Sequence, residues 1–424
     1  MTAKNEKIKA SLQATRLKRA SQIAVTRELK LTRFSAEQGE ALIRVFLEAK
    51  WLYNHLVATS SWNTWDTKQR TVPVRLPSGQ FEERELRYLG SQVKQKVAKQ
   101  IEYSLRTLAT QKKRGVKAGA LRPQRSYNGL QYIQHGTSYR LKGKKLKLQG
   151  LPGWFSVRGT EQLEGLELAS AKLVQRPSGY YLKVTGFRAP QEPGVEAEVG
   201  LDFGIKTHLT ASDGREWSVT VREPERLKRL QRKLQRQVKG SKNRERTKLL
   251  IGREYEKLTH RKDELANQIV SELKSHSRIV LQDENLTSWK VRYGKTIQHS
   301  VLGRVKAKLL SLPNSVVVDR FAPTTQLCPS CGSLNKLALS EREYSCECGY
   351  SAPRDLHAAR NMLLFAELSP AERGVAPVDW KATVSGYAAR KSRQDETGNE
   401  TAKEMSRESG ASGAAETRSS SVVA

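Results

Sequence analysis

Four cysteines grouped towards the C-terminal end of the sequence have the spacing of a metal site. They are Cys328, Cys331, Cys346 and Cys348, and the 424-residue chain has no other cysteine. The first pair is a C-x₂-C knuckle, whereas the second pair has only one residue between its members. Four thiolates are the ligands of a closed tetrahedral site that holds one structural Zn²⁺ ion. The alternative is four free thiols, but the isolated cluster favours zinc and indicates that no disulfide framework is present.

Three carboxylates that lie far apart in the sequence could form a second metal site. Asp202 lies inside an apolar predicted strand that begins at Val199. Glu284 follows a second apolar strand, and Asp355 lies in the first turn of a predicted helix. An unpaired carboxylate in an apolar strand is costly unless a cation or a donor meets it. Taken singly, Asp202 could instead bond a neighbouring backbone amide, and Asp355 could be an ordinary partner of the helix dipole.

Taken together, the three carboxylates would suit two Mg²⁺ ions. Mg²⁺ prefers oxygen ligands and keeps several of its waters, so few protein groups are needed. Two such ions can activate a water and stabilise the leaving oxygen in phosphodiester hydrolysis. Spacing alone does not bring distant acids together, so this prediction needs a fold that does. Other catalytic patterns are missing: the chain has no HExxH or GxSxG, and Gly294-Lys295-Thr296 lacks the first glycine of a phosphate loop, because Trp289 stands there.

The charge of the chain points to a polyanionic partner. Lys and Arg number 75 against 43 Asp and Glu, which gives a formal net charge of +32. Such a surplus favours nucleic acid over a membrane, because no apolar run approaches the ~18 residues of a membrane span. The N-terminus has no apolar region after its basic residues, so we expect a cytoplasmic, nucleoid-associated protein. The segment 386–424 balances six basic against six acidic residues and is predicted to be disordered.

Residues 221–262 concentrate this charge, with sixteen basic and five acidic side chains. Leucines at helical spacing and Val238 precede a break at Gly240-Ser241, and a second apolar stripe then runs from Leu250 through Tyr255 to Leu273. This pattern predicts a helical hairpin with a basic outer surface. A solvated charged face is the alternative, but unrelieved like charges repel, so we favour nucleic-acid contact. The candidate contact residues are Arg229, Arg232, Lys233, Arg236, Lys239, Lys242 and Arg244.

The N-terminal half combines two helices with short strands. Ser35 and Gln38 form a predicted capping box before a helix, and a second apolar stripe runs from Val93 to Leu108. Aromatic side chains at helical spacing pack in a core more often than they stack on bases. We therefore expect four aromatic residues of this region to belong to the core: Trp51, Tyr53, Trp62 and Trp65. Short apolar runs before the helices and after Gly115 predict an antiparallel β-barrel or sheet. A helical pair inserted into a β-barrel is therefore the expectation for residues 1–190.

Several segments, in this order, resemble the TnpB family of insertion-sequence proteins. They read VGLDFGIKTHL, KGSKNRER, IVLQDENLTSW, DRFAPTTQLCPSCGSLNK and SCECGYSAPRDLHAARNML, between Val199 and Leu363. More loosely, KWLYN from Lys50 and the stretch from Leu141 to Trp154 resemble the family's recognition and wedge portions. The resemblance implies an RNase H-like (RuvC) nuclease domain split by a zinc-binding insertion. It also implies a transposon-derived or CRISPR guide RNA and cleavage of target DNA beside a short adjacent motif.

The resemblance implies that Asp202, Glu284 and Asp355 are the catalytic carboxylates that hold two Mg²⁺ ions. The commoner family pattern has Glu before Asp in the second segment, whereas Gln282 stands there in this chain and Asp283 and Glu284 follow. We prefer Glu284, with Asp283 as the alternative, because Gln282 and Glu284 would share one face of an extended strand. Arg320 is expected to touch the DNA strand being cut, or to belong to a segment that packs in the core.

The expected fold is a multidomain α+β protein. An oligonucleotide-binding-like β-barrel (wedge), interrupted by a helical recognition domain, precedes a RuvC α/β nuclease domain with an inserted zinc ribbon. The predicted segments are a basic arm with the first wedge strand (1–34), the recognition domain (35–115), the wedge (116–195), the first RuvC part with the basic hairpin (196–323), the zinc ribbon (324–352), the final RuvC helix (353–366) and a C-terminal tail (367–424), disordered from about residue 386.

The expected activity is RNA-guided, Mg²⁺-dependent DNA cleavage. Two alternatives remain: a protein that binds DNA under RNA guidance, or regulates transposition, without cutting, and a guide-independent nuclease that acts on branched DNA. The presence of all three acids argues against the non-cutting relatives.

Overall fold

The computed structural model describes residues 3–190, 194–338, 340–368 and 384–389. The chain forms two compact units, Met1–Gln191 and Glu192–Ala424. None of the helices in these described ranges is long and apolar enough to cross a membrane. Residues 384–389 form a helical turn, and the Tyr387 hydroxyl donates to the Pro329 carbonyl oxygen at 2.9 Å. The prediction of disorder from residue 386 is therefore wrong for residues 386–389, and the rest of that segment lies outside the described residues.

The first unit is built on a seven-stranded antiparallel sheet with strand order β4-β8-β9-β1-β7-β6-β5. Its elements are α1 (Ala3–Ala20), β1 (Ile23–Arg33), α2 (Ala36–Thr59), β2 (Thr71–Arg75), β3 (Phe81–Glu85), α3 (Ser91–Lys113), β4 (Gly129–Tyr132), β5 (Tyr139–Lys142), β6 (Lys145–Leu148), β7 (Phe155–Arg158), β8 (Glu167–Arg176) and β9 (Gly179–Arg188). The strands predicted from the short apolar runs are all present. The helix α1 and the separate β2–β3 hairpin were not predicted.

The start of α2 is fixed by local hydrogen bonds, as the sequence predicts. The Ser35 hydroxyl accepts from the Gln38 N–H at 3.2 Å, and the Gln38 side chain accepts from the Ser35 N–H at 3.0 Å. Further along α2, the fully buried Glu48 carboxylate accepts from the N–H groups of Tyr88 and Leu89 at 2.8 and 3.0 Å. These bonds connect α2 to the segment that leads into α3. Burial raises the pKa of Glu48, and the backbone donors and Arg44 oppose that rise.

The helices and the sheet of the first unit share one hydrophobic core. The apolar stripes of α2 and α3 point into this core alongside residues of the sheet, so the predicted boundaries near residues 35 and 115 do not separate compact units. The aromatic residues of this region belong to the same core. Tyr53 is buried, and Trp51, Trp62 and Trp65 are partly buried against it. The core interpretation of these side chains is thus the one that the structure supports.

The second unit contains a mixed five-stranded sheet with strand order β12-β11-β10-β13-β14. Strands β10, β13 and β14 are parallel, and β10–β11–β12 is antiparallel. The elements are β10 (Val199–Phe203), β11 (Leu209–Ala211), β12 (Glu216–Trp217), α4 (Glu225–Arg236), α5 (Lys242–Leu273), β13 (Ile279–Gln282), α6 (Leu286–His299), α7 (Leu302–Leu309), β14 (Ser315–Val318), β15 (Glu343–Ser345), β16 (Ser351–Pro353) and α8 (Arg354–Leu368).

The predicted helical hairpin is present as α4 and α5. Gly240 adopts a φ of 86° in the turn, and the Ser241 hydroxyl then caps α5 by accepting from the Arg244 N–H. The predicted apolar seam is only partly right. Leu227 is buried, but Val238 is 76% exposed and Tyr255 is 43% exposed. Val238 lies in the turn after α4 has ended, which explains why helical spacing misplaces it.

Close packing between α8 and β10 depends on a glycine. A Cβ atom at Gly200 would lie 2.0 Å from the carbonyl oxygen of Ala359 and 3.1 Å from the Cβ of Met362. Both of these residues belong to α8, so the helix backbone rests directly on the strand. The same approach sets the distance between the strand that carries Asp202 and the helix that carries Asp355.

We therefore expect Gly200→Ala to lower the free energy of unfolding by about 2 kcal/mol or more, because the added methyl group must push α8 away from β10. Gly303→Ala is the matched control, since a Cβ there meets no atom within 4 Å and α7 gains helix propensity. Urea unfolding followed by circular dichroism measures both. Equal unfolding midpoints for the two variants would contradict the packing argument.

Candidate functional site

The three predicted carboxylates converge on one pocket of the second unit. Asp202 lies near the carboxyl end of β10, Glu284 follows β13, and Asp355 lies in the first turn of α8. Because β10 and β13 are parallel neighbours, their carboxyl ends meet at one edge of the sheet. A pocket of about 1020 Å³ at this edge is lined by all three residues. The sheet and α8 therefore gather residues that are 153 positions apart in the sequence, from 202 to 355.

The electrostatics of this pocket disfavour three ionised carboxylates. The pKa of Asp202 is raised well above its ordinary value, first by burial and then by the negative charges of Glu284 and Asp355, while Arg354 opposes the rise. Burial also raises the pKa of Glu284 to about 7, against the opposing charge of Lys306. The Oε2 atom of Glu284 is buried without a hydrogen-bond partner among the described residues. Partly buried carboxylate oxygens, one of them a free acceptor, are ligands of the type that a divalent cation such as Mg²⁺ prefers.

Of the two adjacent acids, only Glu284 faces the pocket. Asp283 is exposed, and its carboxylate accepts from the Arg320 guanidinium at 2.6 Å. Glu284 lines the pocket and Asp283 does not, but strand parity is not the reason. Strand β13 ends at Gln282, and the Glu284 N–H donates to the Gln282 carbonyl oxygen at 2.8 Å, so a tight turn rather than an extended strand aims Glu284. The Gln282 side chain donates instead to the carbonyl oxygens of Asp319 and Ala322.

A buried lysine supports the Glu284 turn. Lys306 is 7% exposed, and its Nζ atom donates to the carbonyl oxygens of Gln282 at 3.0 Å and Glu284 at 2.7 Å. Burial lowers the pKa of Lys306, and the charges of Glu284 and Asp283 oppose that effect. Sequence reasoning missed this residue. A signal was available, because Lys306 falls on the apolar stripe of α7 between Val305 and Leu309.

The pocket also contains cationic and aromatic side chains that the sequence patterns did not identify. The helix α6 contributes Trp289 and Tyr293, and the latter has a non-helical φ of −119° that kinks the helix. Lys206, Arg342 and Arg354 lie on other parts of the lining. Cationic side chains beside the carboxylates can bind an anion such as a phosphodiester. The aromatic rings can stack on a base.

The four cysteines form a compact cluster that fits one zinc ion. Their sulfur atoms all lie within 4.8 Å of one another, with Cys328–Cys348 at 3.6 Å and Cys331–Cys346 at 3.5 Å. A tetrahedral site with Zn–S bonds of ~2.3 Å has sulfur–sulfur edges of about 3.8 Å. The short second knuckle closes because Gly349, at a φ of 88°, donates its N–H to the Cys346 carbonyl oxygen. The unusual spacing is thus compatible with the predicted ligand set.

The basic residues of the α4–α5 hairpin divide into two groups. Six predicted contact residues are exposed: Arg229, Arg232, Lys233, Arg236, Lys239 and Lys242. Arg244 is only partly exposed, and its guanidinium donates to the carbonyl oxygens of Leu234 and Gln237 at the end of α4. It therefore closes a helix terminus, a structural role that the prediction of nucleic-acid contact omitted. Arg320, in turn, is engaged by Asp283 rather than free.

Two family models match the chain, both between residues 175 and 362. "Probable transposase" (OrfB_IS605) matches residues 175–286, and "Cas12f1-like, TNB domain" matches residues 306–362. The first match contains Asp202 and Glu284, and the second contains the four cysteines and Asp355. The chain is thus similar to insertion-sequence transposases over the first range and to Cas12f1-like proteins over the second. The resemblance to the TnpB family is thereby confirmed.

Individual relatives agree with the family models. "Putative RNA-guided DNA endonuclease" of Streptomyces pristinaespiralis is 29% identical over 184 residues, 40% of this chain and 46% of that protein. "Putative RNA-guided DNA endonuclease InsQ" of Escherichia coli K12 is 28% identical over 246 residues, 50% of this chain and 60% of that protein. The chain thus spans about half the length of these relatives. A Cas12f1 chain, in a cryo-EM structure of a Cas12f1–sgRNA–target DNA complex, is 13% identical with a TM-score of 0.23 over 80% of this chain and 98% of that chain.

We expect Cys331→Ser to reduce the zinc content below one ion per chain and to lower the unfolding temperature, because the free energy of zinc binding contributes to folding. Elemental analysis gives the zinc content, and calorimetry gives the unfolding temperature. Ser330→Ala is the control, since Ser330 is exposed between the two cysteines of the first knuckle. Native protein without zinc, or a Cys331 variant that retains a full equivalent, would refute the assignment.

The pKa of Glu284 predicts a pH dependence of stability in protein without added Mg²⁺. Unfolded Glu284 loses its proton near pH 4.5, whereas the folded chain retains it up to about pH 7. Ionisation therefore penalises the folded state in this window, and the free energy of unfolding falls as the pH rises through it. Glu284→Gln should remove about 1–3 kcal/mol of this fall. Urea unfolding at pH 5 and pH 8 tests the difference, with the exposed Asp283→Asn as control; identical losses in both variants would disprove it.

Proposed function

We propose that this protein is an RNA-guided DNA endonuclease of the TnpB type, which hydrolyses phosphodiester bonds at Asp202, Glu284 and Asp355. The observation that carries this proposal is the convergence of these three carboxylates in one pocket, from two parallel strands and a helix start. The names of both curated relatives, RNA-guided DNA endonucleases, support the same reaction class. Because the chain spans only part of those relatives, their activity supports the proposal by similarity alone.

The proposed RuvC domain comprises the mixed sheet with its helices, interrupted by the cysteine cluster. Segments 196–323 and 353–366 would form the nuclease part, and 324–352 the zinc ribbon inserted before the last catalytic residue. The order of elements supports this division, because β14 precedes the cysteines and α8 follows them directly. In the first unit, the antiparallel sheet would act as the wedge, and α2 with α3 as the recognition helices.

The carboxylates would hold two Mg²⁺ ions. When bound, such ions supply an activated water and stabilise the leaving oxygen in phosphodiester hydrolysis. The chain itself presents the three oxygen donors, since the β10–β13 pairing and α8 place them in one pocket. Lys306 holds the backbone of the Glu284 turn, so that this carboxylate stays aimed into the pocket.

Substrate binding would use the other residues of the pocket lining. Arg342 and Lys206 are placed to bind phosphate oxygens beside the carboxylates, where charge-assisted hydrogen bonds are strong. Trp289 and Tyr293 offer ring faces on which an unpaired base can stack. These contacts would orient a nucleotide strand through its backbone and one base, without selecting sequence.

Sequence selection would come from the guide RNA. In RNA-guided systems, pairing with the guide selects the target strand, and the protein reads a short adjacent duplex motif and the shape of the heteroduplex. The exposed basic side chains of the α4–α5 hairpin would hold phosphates of the guide RNA and target DNA. The partners in this proposal are thus a transposon-derived or CRISPR guide RNA and DNA, in the cytoplasm. The three carboxylates favour this function over a repressor that binds without cutting.

The decisive substitution is Asp202→Asn, which keeps the shape of the side chain and removes its charge. We expect target cleavage by the protein–RNA complex to fall more than about a hundredfold, since even outer-shell partners of a metal site are worth 10–100-fold. Binding of guide RNA and target DNA should stay within about threefold in a filter-binding assay. Asp283→Asn is the matched control and should retain cleavage. Full cleavage by the Asp202 variant would overturn the catalytic assignment, and protein that cuts specific DNA without RNA would overturn the guidance.

A further inference from the structure

The helix that carries Asp355 is attached to the cysteine unit (residues 324–338 and 340–353) along one face. Strand β16 ends at Pro353 and α8 begins at the next residue, so no linker separates the unit from the helix. Three residues of α8 then contact the cysteine unit: Arg354, His357 and Asn361. Their spacing of three and four places them on one face of a helix. We call these three residues the α8 clamp.

Asn361 binds the segment that leads into the first knuckle. Its side-chain amide donates to the carbonyl oxygens of Thr324 and Leu327, each at 2.8 Å, and the residue is 1% exposed. Leu327 directly precedes Cys328. The same amide nitrogen lies 3.1 Å from Nε2 of His357, so two members of the clamp also support each other. A buried carbonyl oxygen that loses its hydrogen-bond donor destabilises the fold. The Asn361 amide therefore fixes the position of this segment relative to α8.

His357 binds the segment that leads into the second knuckle. Its ring stacks on the ring of Tyr344, with centroids 3.8 Å apart and planes 13° apart. Tyr344 lies in β15, two residues before Cys346, and is fully buried. The Tyr344 hydroxyl in turn donates to the Gln326 carbonyl oxygen at 3.2 Å. A single aromatic contact therefore connects α8 to both knuckles.

Arg354 completes the attachment at the start of the helix. Its N–H donates to the Arg342 carbonyl oxygen at 2.8 Å, and its guanidinium donates to the Ala338 and Glu341 carbonyl oxygens at 3.0 and 3.3 Å. Asp355 is the next residue. The opposite side of α8 rests on β10 at Gly200, so the helix is held between the sheet and the cysteine unit.

We propose that the cysteine unit positions Asp355 through the α8 clamp, with His357 and Asn361 as positioning residues for the carboxylate site. This inference rests on the proposed function in so far as Asp355 is a metal-binding carboxylate. Zinc would fix the segments beside Cys328 and Cys346, and the clamp transmits that order to the first two turns of α8. Zinc binding at the cysteines and divalent-cation binding at the carboxylates are then thermodynamically linked, so each strengthens the other.

The first experiment measures amide hydrogen exchange with and without zinc, which does not depend on any nuclease activity. Zinc is removed by dialysis against a chelator and restored for comparison. We expect the amides of residues 355–361 to exchange at least about tenfold faster without zinc, because local opening of α8 becomes easier. The end of α5, residues 266–273, is the internal control and should be unchanged. Equal protection of α8 in both states would overturn the proposal.

The second experiment measures the affinity of the zinc-loaded, nucleic-acid-free protein for Mn²⁺ by electron paramagnetic resonance. His357→Ala removes the stack on Tyr344 and should weaken Mn²⁺ binding about tenfold, the effect typical of a lost outer-shell partner. His357→Phe retains a stacking ring and should restore the affinity to within about threefold. Zinc content should remain one ion per chain in both variants.

His276→Ala controls for general destabilisation. His276 is buried in the same unit, but its ring contacts Leu273 and Arg215 rather than α8. It should reduce stability without changing Mn²⁺ affinity. Equal weakening by the His276 and His357 variants, or no rescue by phenylalanine, would overturn the positioning role. If the native protein bound no Mn²⁺ at all, the proposed metal-dependent function would fail, while hydrogen exchange would still decide whether zinc orders α8.

Discussion

The burial of carboxylates in one pocket is the constraint on which the rest of the second unit depends. Ionised Asp202 and Glu284 would be more stable in water, because burial raises the pKa of both carboxyl groups. The burial of apolar side chains offsets this cost in free energy. Strands β10, β13 and β14 contribute to the core, and α8 packs on them. Strain of this kind is typical of functional sites. A cation that neutralises the pocket would convert the penalty into binding free energy.

Local features of the fold could be predicted from the sequence, whereas contacts between distant segments could not. The capping box at Ser35, the turn at Gly240 and the apolar strands each depend on neighbouring residues, and all are present. The β2–β3 hairpin escaped prediction because β3 reads FEERE and has almost no apolar pattern; its pairing with β2 is what makes it a strand. The convergence of Asp202 with Asp355 likewise required the resemblance to a family, since their separation of 153 residues carries no geometric information.

Charged residues were the least predictable part of the site, because the same side chain can bind a ligand or the protein's own backbone. Arg244 looks like its basic neighbours in sequence, yet it caps the end of α4. Lys306 lies on the apolar stripe of α7, which indicates burial, but the sequence does not show that it donates to the Glu284 turn. Glu284 rather than Asp283 lines the pocket because of a turn that begins at the last residue of β13, which an argument from strand parity cannot detect. Arg244 and Lys306 both donate to backbone carbonyl oxygens at or near the end of a helix or strand. Which of these carbonyl oxygens a distant side chain reaches is decided by the tertiary structure, so the sequence does not reveal these roles.

The position of the cysteine unit in the chain follows from the same constraint. It lies between β14 and α8, so the polypeptide leaves the sheet, forms the two knuckles and returns at the residue that precedes Asp355. A helix start that bears a carboxylate beside two others must be held in position, and packing on Gly200 holds only one side of it. The contacts of Arg354, His357 and Asn361 supply the other side. A zinc-stabilised fold is suited to that task, because four metal bonds order a short, loop-rich segment that has little core of its own.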